Sequence, residues 1–301
     1  MDELTAAGIT DPVLRASYKE CKRLNKEHGK TYYLATLLLP KEKRPHVHAL
    51  YGFARFADEI VDDLKSTLTP EQKREELEKW SHQMLADIKR GSSQDNVGMA
   101  LVHTVKTFDI PPRYFEAFLH SMAMDLTVTR YATFNNLHEY VYGSAAVIGL
   151  QMVHVLGTIS DRQKALDAAE KLGVAFQLAN FIRDIGEDLD RGRIYLPLQE
   201  LADFGVSEAM MLKRKVTPEI VAALKFQISR VRTLQAESKA GISLLPASVR
   251  PCIEAASELY CGIVGEVEKI DYQVFTKRAK TSKLRRMSVA LPAWLRALAA
   301  R

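Results

Sequence analysis

Between Gly173 and Ile182 the chain reads GVAFQLANFI, small or apolar almost all the way round a helix. A helix of that kind is interior and central rather than a surface element. Two amides, Gln177 and Asn180, nevertheless sit inside it, and Asp184 and Asp188 follow at seven and eleven residues from Gln177. At about 100° per residue these side chains fall along one side of the helix. Buried amides and carboxylates are costly without partners, so a polar ligand or a metal is expected along that stripe.

A second stretch, YGFARFADEIVDD from Tyr51 to Asp63, answers the first. Tyr51, Arg55, Asp58 and Asp62 share one stripe, and Val47, Leu50, Ala54, Ala57, Val61 and Leu64 make an adjoining apolar one. A polar stripe bordering a buried face suits the wall of a cavity. Asp58 with Asp62, and Asp184 with Asp188, read as the two sides of one metal site. Carboxylates four residues apart offer only oxygen, which with water and a ligand phosphate is how Mg²⁺ is held. Arg55, Arg183, Arg191 and Arg193 are placed to take phosphate oxygens. A single DxxxD on a helix is more often a solvated acidic face. The Tyr/Arg stripe before one pair and the buried amides before the other set these two apart.

The remaining pattern is helical nearly throughout, with apolar residues recurring at three and four and little strand-like alternation. Asp11-Pro12 opens a helix that Gly29 closes, and a second long one follows from Lys41 to Leu64. Thr69-Pro70 starts another that ends near Gly91. Helices are expected over 97–107, 112–129, 136–156 and 162–189, with short ones at most up to Val216. Long helices resume over 218–240, 247–268 and 283–299. No repeat, low-complexity tract or linker divides the chain, so one all-α domain over residues 1–301 is expected, a bundle of roughly a dozen helices.

Composition narrows the function classes. A net charge of +5 suits anionic small molecules or a membrane surface, and no basic run interleaved with aromatics marks a nucleic-acid platform. Cys21, Cys252 and Cys261 form no CxxC, which argues for a reducing compartment and against disulfides and zinc. His46 and His48, two apart, point to different helix faces. The start MDELTAAGIT has no signal-peptide pattern, and the apolar run 145–157 is too short to span a bilayer. A soluble cytoplasmic protein is expected. The basic run KRAKTSKLRR from Lys277 to Arg286 reads as a solvated face with phosphate contact, or as a peripheral contact with the inner face of an anionic membrane.

YGFARFADEIVDD and AFQLANFIRDIGEDLDRGRIYLP, with GKTYYLATLLLP, YVYGSAAVIGLQM and DYQVFTKRA, resemble the squalene/phytoene synthase family over roughly Tyr18 to Arg286. The likeness is greatest to bacterial phytoene synthases. It implies an isoprenoid-synthase-type helical bundle around a central cavity that binds two prenyl diphosphates, with Mg²⁺ (or Mn²⁺) bridging diphosphate to Asp58, Asp62, Asp184 and Asp188. Asn180 and Gln177 would support metal or diphosphate. Arg55, Arg183, Lys30 and Thr31 would contact diphosphate, and Tyr51 and Tyr142 would lie near the reacting carbons. Tyr260 and the Lys277-Arg278 pair match a C-terminal phosphate-contacting segment. In this chain Gly29 stands where many members have Ser, Ala146 where Gly is frequent, and Lys277 where Arg is frequent.

The reaction so implied is the head-to-head condensation of two geranylgeranyl diphosphates, through prephytoene diphosphate, to phytoene for carotenoid synthesis, without NADPH. The rival within the family uses farnesyl diphosphate and makes presqualene diphosphate, dehydrosqualene or squalene. Two others are a non-catalytic helical relative, disfavoured because all four motif acids are present, and a one-cation terpene cyclase, disfavoured by RGRIYLP.

Overall fold

The local signals that end helices in the sequence operate as expected in the computed structural model of the protein, which describes residues 1–62 and 68–300, Asp62 in its backbone alone. Among those residues the chain forms α1 (Glu3–Ala6), α2 (Pro12–His28), α3 (Lys30–Thr36), α4 (Arg44–Asp62), α5 (Pro70–Arg90), α6 (Gly98–Phe108), α7 (Pro112–Met124) and α8 (Phe134–Val141). A π-turn (Tyr142–Ala146) leads into α9 (Val147–Leu156) and α10 (Arg162–Asp190). Then come α11 (Leu198–Asp203), α12 (Glu208–Leu212), α13 (Pro218–Ile242), α14 (Arg250–Cys261), α15 (Ile263–Lys269) and α16 (Lys283–Ala299). The described residues contain no strand, only an isolated parallel bridge between Arg130 and Ile194. No helix among them is long and apolar enough to cross a membrane. Leu64 and the side chain of Asp62 lie outside the described residues.

Asp11 accepts a hydrogen bond from the Leu14 amide at 2.7 Å and Pro12 occupies the first turn, so α2 starts where its sequence says. Thr69 and Gln72 form a reciprocal capping box at the start of α5, and Gly91, at φ 77°, ends it in the left-handed region. Three expected helices are interrupted. The one over 112–129 stops at Met124. Beyond it lies the β-branched run Thr127-Val128-Thr129, whose threonines are exposed while Val128 packs on the core, and the Thr129 carbonyl accepts from the Ile194 amide at 3.0 Å. The one over 136–156 contains the π-turn. The one over 247–268 breaks at Gly262, after which α15 runs along α10 while α14 faces α16.

The π-turn has a packing cause. A Cβ on Gly143 would stand 2.1 Å from the Ala117 carbonyl oxygen and 2.2 Å from Ser121 Oγ, so only glycine lets this turn lie against α7. Such widened turns are frequent at functional sites.

Two large apolar clusters hold the bundle. One gathers the C-terminal half of α10 with α8, α11, α13 and α15. The other joins α4, α5, α6, α7, α9, α14 and α16. Tyr142 and Ile253 pack against both. The polar stripes of α4 and α10 therefore face each other across the seam between the two clusters.

Candidate active site

In that seam lies a polar cavity of about 490 Å³. α4 contributes Tyr51, Arg55 and Asp58, and α10 contributes Gln177, Asn180, Arg183, Asp184 and Asp188. Both stripes read from the sequence thus open onto one space. The side chain of Asp62 lies outside the described residues.

The charges are organised around Asp184. Arg183 grips it with two nitrogens, the Nε–Oδ1 distance being 2.7 Å, and Arg278 donates from Nε to Oδ1 at 2.8 Å and from Nη2 to Oδ2 at 3.2 Å. Burial works to raise the Asp184 carboxyl, and the hydrogen bonds from Arg183 and Arg278 outweigh it, leaving the group below the usual carboxylate range. Asp188, one turn on, goes the other way: burial, then the Asp184 charge, push it up to about 7. On the opposite wall Arg55 donates to Asp58 at 2.6 Å and approaches Glu59 at 3.9 Å.

Two buried acceptors mark the inner end. Asn180 Oδ1 and Ser144 Oγ have no hydrogen-bond partner. Both also line a second, apolar cavity of about 280 Å³ that runs on between α3, α9, α10, α13 and α14. Tyr32, Met152, Leu156, Ala168, Phe176 and Tyr260 are among its walls. Helices carrying small residues make the space: Gly173 lets α10 pass against Ala145 and Ala146, and Gly241 lets α13 meet Ala168.

A hard divalent cation fits the oxygen-only donors Asp58, Asp184, Asp188 and the unpartnered Asn180 Oδ1. Among the described residues, no three acidic, histidine or cysteine side chains come together closely enough to form a metal centre by themselves. A cation here would draw its remaining ligands from water and from a bound anion, as Mg²⁺ usually does.

Several expected site residues lie elsewhere. Lys30 and Thr31 are exposed on the first turn of α3 and do not line the polar cavity, whose nearest α2–α3 member is His28. Lys277 is exposed and outside the cavity, while its neighbour Arg278 reaches Asp184. Tyr260 belongs to the apolar cavity, stacked on Phe176 at 4.9 Å between ring centres, because that side of α14 faces α10. Tyr142 lines neither cavity. Tyr140 and Ser144 take the cavity side of this segment, and a residue two places from Tyr140 lies about 200° round the helix. Gly29 has a steric role: a Cβ there would stand 2.6 Å from the Tyr51 ring.

The residue that sequence reading missed is Asp125. It lines the polar cavity and accepts from Tyr140 at 2.8 Å and from Tyr195 at 3.3 Å. Arg193 donates to its carbonyl at 2.8 Å. Tyr195 stacks on Phe181 of α10 at 4.0 Å. The RGRIYLP segment therefore clamps the end of α10 to the loop after α7, and Gly192, at φ 73°, makes the turn that brings it there. One signal was available: Asp125 is the only acid between Glu116 and Glu139.

The chain is similar to known proteins over most of its length. Residues 25–285 match the family model described as squalene/phytoene synthase. The chloroplastic phytoene synthase of Narcissus pseudonarcissus is 37% identical over 93% of this chain, which spans 66% of that relative. The 15-cis-phytoene synthase of Synechocystis is 36% identical, covering 93% of this chain and 85% of that protein. Among solved structures, a dehydrosqualene synthase in complex with ligand superposes with a TM-score of 0.84 at 27% identity, over 97% of this chain and 98% of that one. A squalene synthase from Alicyclobacillus acidocaldarius, at 24% identity and a TM-score of 0.81, covers 89% of this chain and 98% of its own and shares the all-α fold.

Proposed function

Because the chain belongs to the squalene/phytoene synthase family, we propose that it works as a prenyltransferase of the phytoene synthase type. It joins two molecules of geranylgeranyl diphosphate head to head, through prephytoene diphosphate, to phytoene. The observation that carries this reading is the junction at Ser144 and Asn180, where a cavity walled by acids and arginines passes into an apolar one. A ligand filling both has a charged head and a long hydrocarbon tail.

Mg²⁺ held by Asp58, Asp184, Asp188 and Asn180, with Asp62 following on α4, would supply the positive charge that a departing diphosphate needs. Arg55 on one wall, and Arg183 and Arg278 at Asp184 on the other, would offer planar donor forks to diphosphate oxygens. Loss of the first diphosphate leaves an allylic cation. The double bond of the second substrate attacks it, and loss of a proton from the resulting cation closes a cyclopropane ring. A second ionisation, rearrangement and proton loss give the product without any reductant. Such cations react with water at once, and the apolar walls exclude it. Tyr51 lines the polar cavity and Tyr32, Phe176 and Tyr260 the apolar one, where aromatic rings would stabilise positive carbon.

The test is incubation of the protein and Mg²⁺ with geranylgeranyl or farnesyl diphosphate, each with and without NADPH, followed by chromatography of the hydrocarbons. Phytoene from geranylgeranyl diphosphate without NADPH is the expected product. A preference for farnesyl diphosphate overturns the reading.

A further inference from the structure

Helix α16 is laid on the bundle with its small residues inward and its large ones outward. Val289, Ala293 and Ala297 are buried against the molecule. On the opposite side Leu284, Met287, Leu291, Trp294, Leu295 and Leu298 are 81, 64, 57, 47, 55 and 45% exposed. At about 100° per residue these six cover an arc of about 100°, the width of face that a helix normally buries. A chain whose only need was to seal its own core would turn this helix over.

Ion pairs to α14 accompany this inward packing of the small residues. Arg285 pairs with Glu258 at 2.7 Å and Arg296 pairs with Glu254, both acids standing on α14. Lys280, Lys283 and Arg286 are exposed around the start of the outward stripe. From Tyr272 to Arg301 the sequence holds eight Lys and Arg and no Asp or Glu. An apolar stripe with basic margins and a tryptophan is the composition of a helix that lies in the plane of a lipid interface.

We propose that the outward face of α16 docks on the surface of a membrane containing anionic lipid. A second copy of the chain is the poorer occupant. A two-fold contact through this face would bring two sets of basic residues together with no acids between them. Bilayer headgroups supply the missing negative charge, and the acyl boundary takes the leucines. The inner side of α16 rests on α14, whose far side, carrying Cys252, Ile253 and Ala256, walls the apolar cavity. On the proposed reaction, one helix would separate the hydrocarbon product from lipid. The docking itself does not depend on that reaction.

The experiment is flotation of the full chain with vesicles of phosphatidylcholine alone and of phosphatidylcholine with phosphatidylglycerol. Binding to the anionic vesicles is expected, weakening as salt rises. M287E/L291E and, separately, K283E/R286E should each weaken it by roughly ten-fold or more, with unchanged helicity by circular dichroism. Absence of binding to anionic vesicles overturns the proposal. So does equal binding by M287E/L291E, or a dimer in analytical ultracentrifugation that L291E dissociates. Because the readout is partition into lipid, failure here leaves the reading of the active site standing, and inactivity of the enzyme leaves this one.

Discussion

Arg278 reaches across 94 positions of sequence to hold both carboxylate oxygens of Asp184. With Arg183 on the other side, the acid at the centre of the cavity is neutralised by the guanidinium groups that would serve a diphosphate. The contact couples two events: whatever takes Asp184 from Arg278 also releases Arg278 to bind an anion. R278A should therefore lower turnover about a hundred-fold, the usual loss when one positioned donor to a developing oxyanion is removed. R278K keeps the charge but not the fork and should fall between. D184A should abolish turnover with helicity intact. Steady-state kinetics with circular dichroism checks all three, and near-normal activity of D184A would remove the proposed role of this acid.

Chelation makes a separate prediction. Asp58, Asp184 and Asp188 share one cavity, and among the described residues no set of three acids closes on a metal unaided. A cation bound in that way depends on substrate oxygens and exchanges with bulk solution. Treatment with EDTA should stop turnover and leave the melting temperature of the substrate-free protein nearly unchanged, and Mg²⁺ or Mn²⁺ should restore activity. Full turnover by thoroughly demetallated protein would exclude metal assistance.

Asp125 should matter for both stability and rate. D125A removes the carboxylate that the buried Tyr140 hydroxyl donates to, and a negative charge 3.9 Å from Arg193. The loss of a buried partner costs about 1–3 kcal/mol. Y140F, which removes the donor and leaves the acid its other contacts, should cost about 1 kcal/mol. Urea denaturation of the two variants gives the comparison, and D125A as stable as the parent would show that the clamp between α10 and the α7–α8 loop carries no load.

How far the chain could be read from its sequence follows from the range of the interactions involved. Asp11, Thr69, Gly91 and Ser282 act within one turn, and the ends they set fell where expected. The π-turn at Tyr142 depends on Gly143 meeting Ala117, a contact between helices that no local pattern encodes. The side of α14 that faces the tunnel, and with it the place of Tyr260, is likewise decided by α10 and α3. Periodicity located the stripes on α4 and α10 because each is a polar line beside apolar residues on a single helix. Asp125 escaped because it lies one residue past the end of α7, where helical spacing no longer says which way a side chain points.

Two buried histidines make stability fall in mild acid. His46 sits among Tyr18, His103 and Thr104, with Lys43 beside it, and His48 is bonded to Asn25 with Glu3, Lys22 and Arg44 around it. Burial holds His46 down at about 3, with His103 and Lys43 adding to it, and His48 at about 4, where Glu3 opposes the shift and Lys22 and Arg44 add to it. Free imidazole takes up its proton near pH 6.5. Between those limits the unfolded chain binds more protons than the folded one, so stability is fully present above about pH 6.5 and is lost as pH falls. Each ring contributes at most about 1.4 kcal/mol per pH unit over its window. Urea midpoints should decline from pH 7 to pH 5, and H46Q should flatten the slope. An equal slope in H46Q would place the acid sensitivity elsewhere.

The apolar cavity gives the last prediction, because on the proposed reaction it would hold the hydrocarbon tail. Ala256 of α14 lines the cavity together with Ala168 and Ala169 of α10 and Met152 of α9. Small residues there leave room that a longer prenyl chain fills, and each buried methylene is worth roughly 1 kcal/mol. A256F would place a ring in that space. Turnover of geranylgeranyl diphosphate should drop at least about ten-fold relative to farnesyl diphosphate, since discrimination by one pocket side chain is of that order. The ratio of kcat/KM for the two substrates is the measurement, with the melting temperature reporting any general damage from overpacking. A256F that loses activity equally on both substrates would mean that the tail of the substrate does not reach α14, and that the tunnel is packing space rather than a ruler.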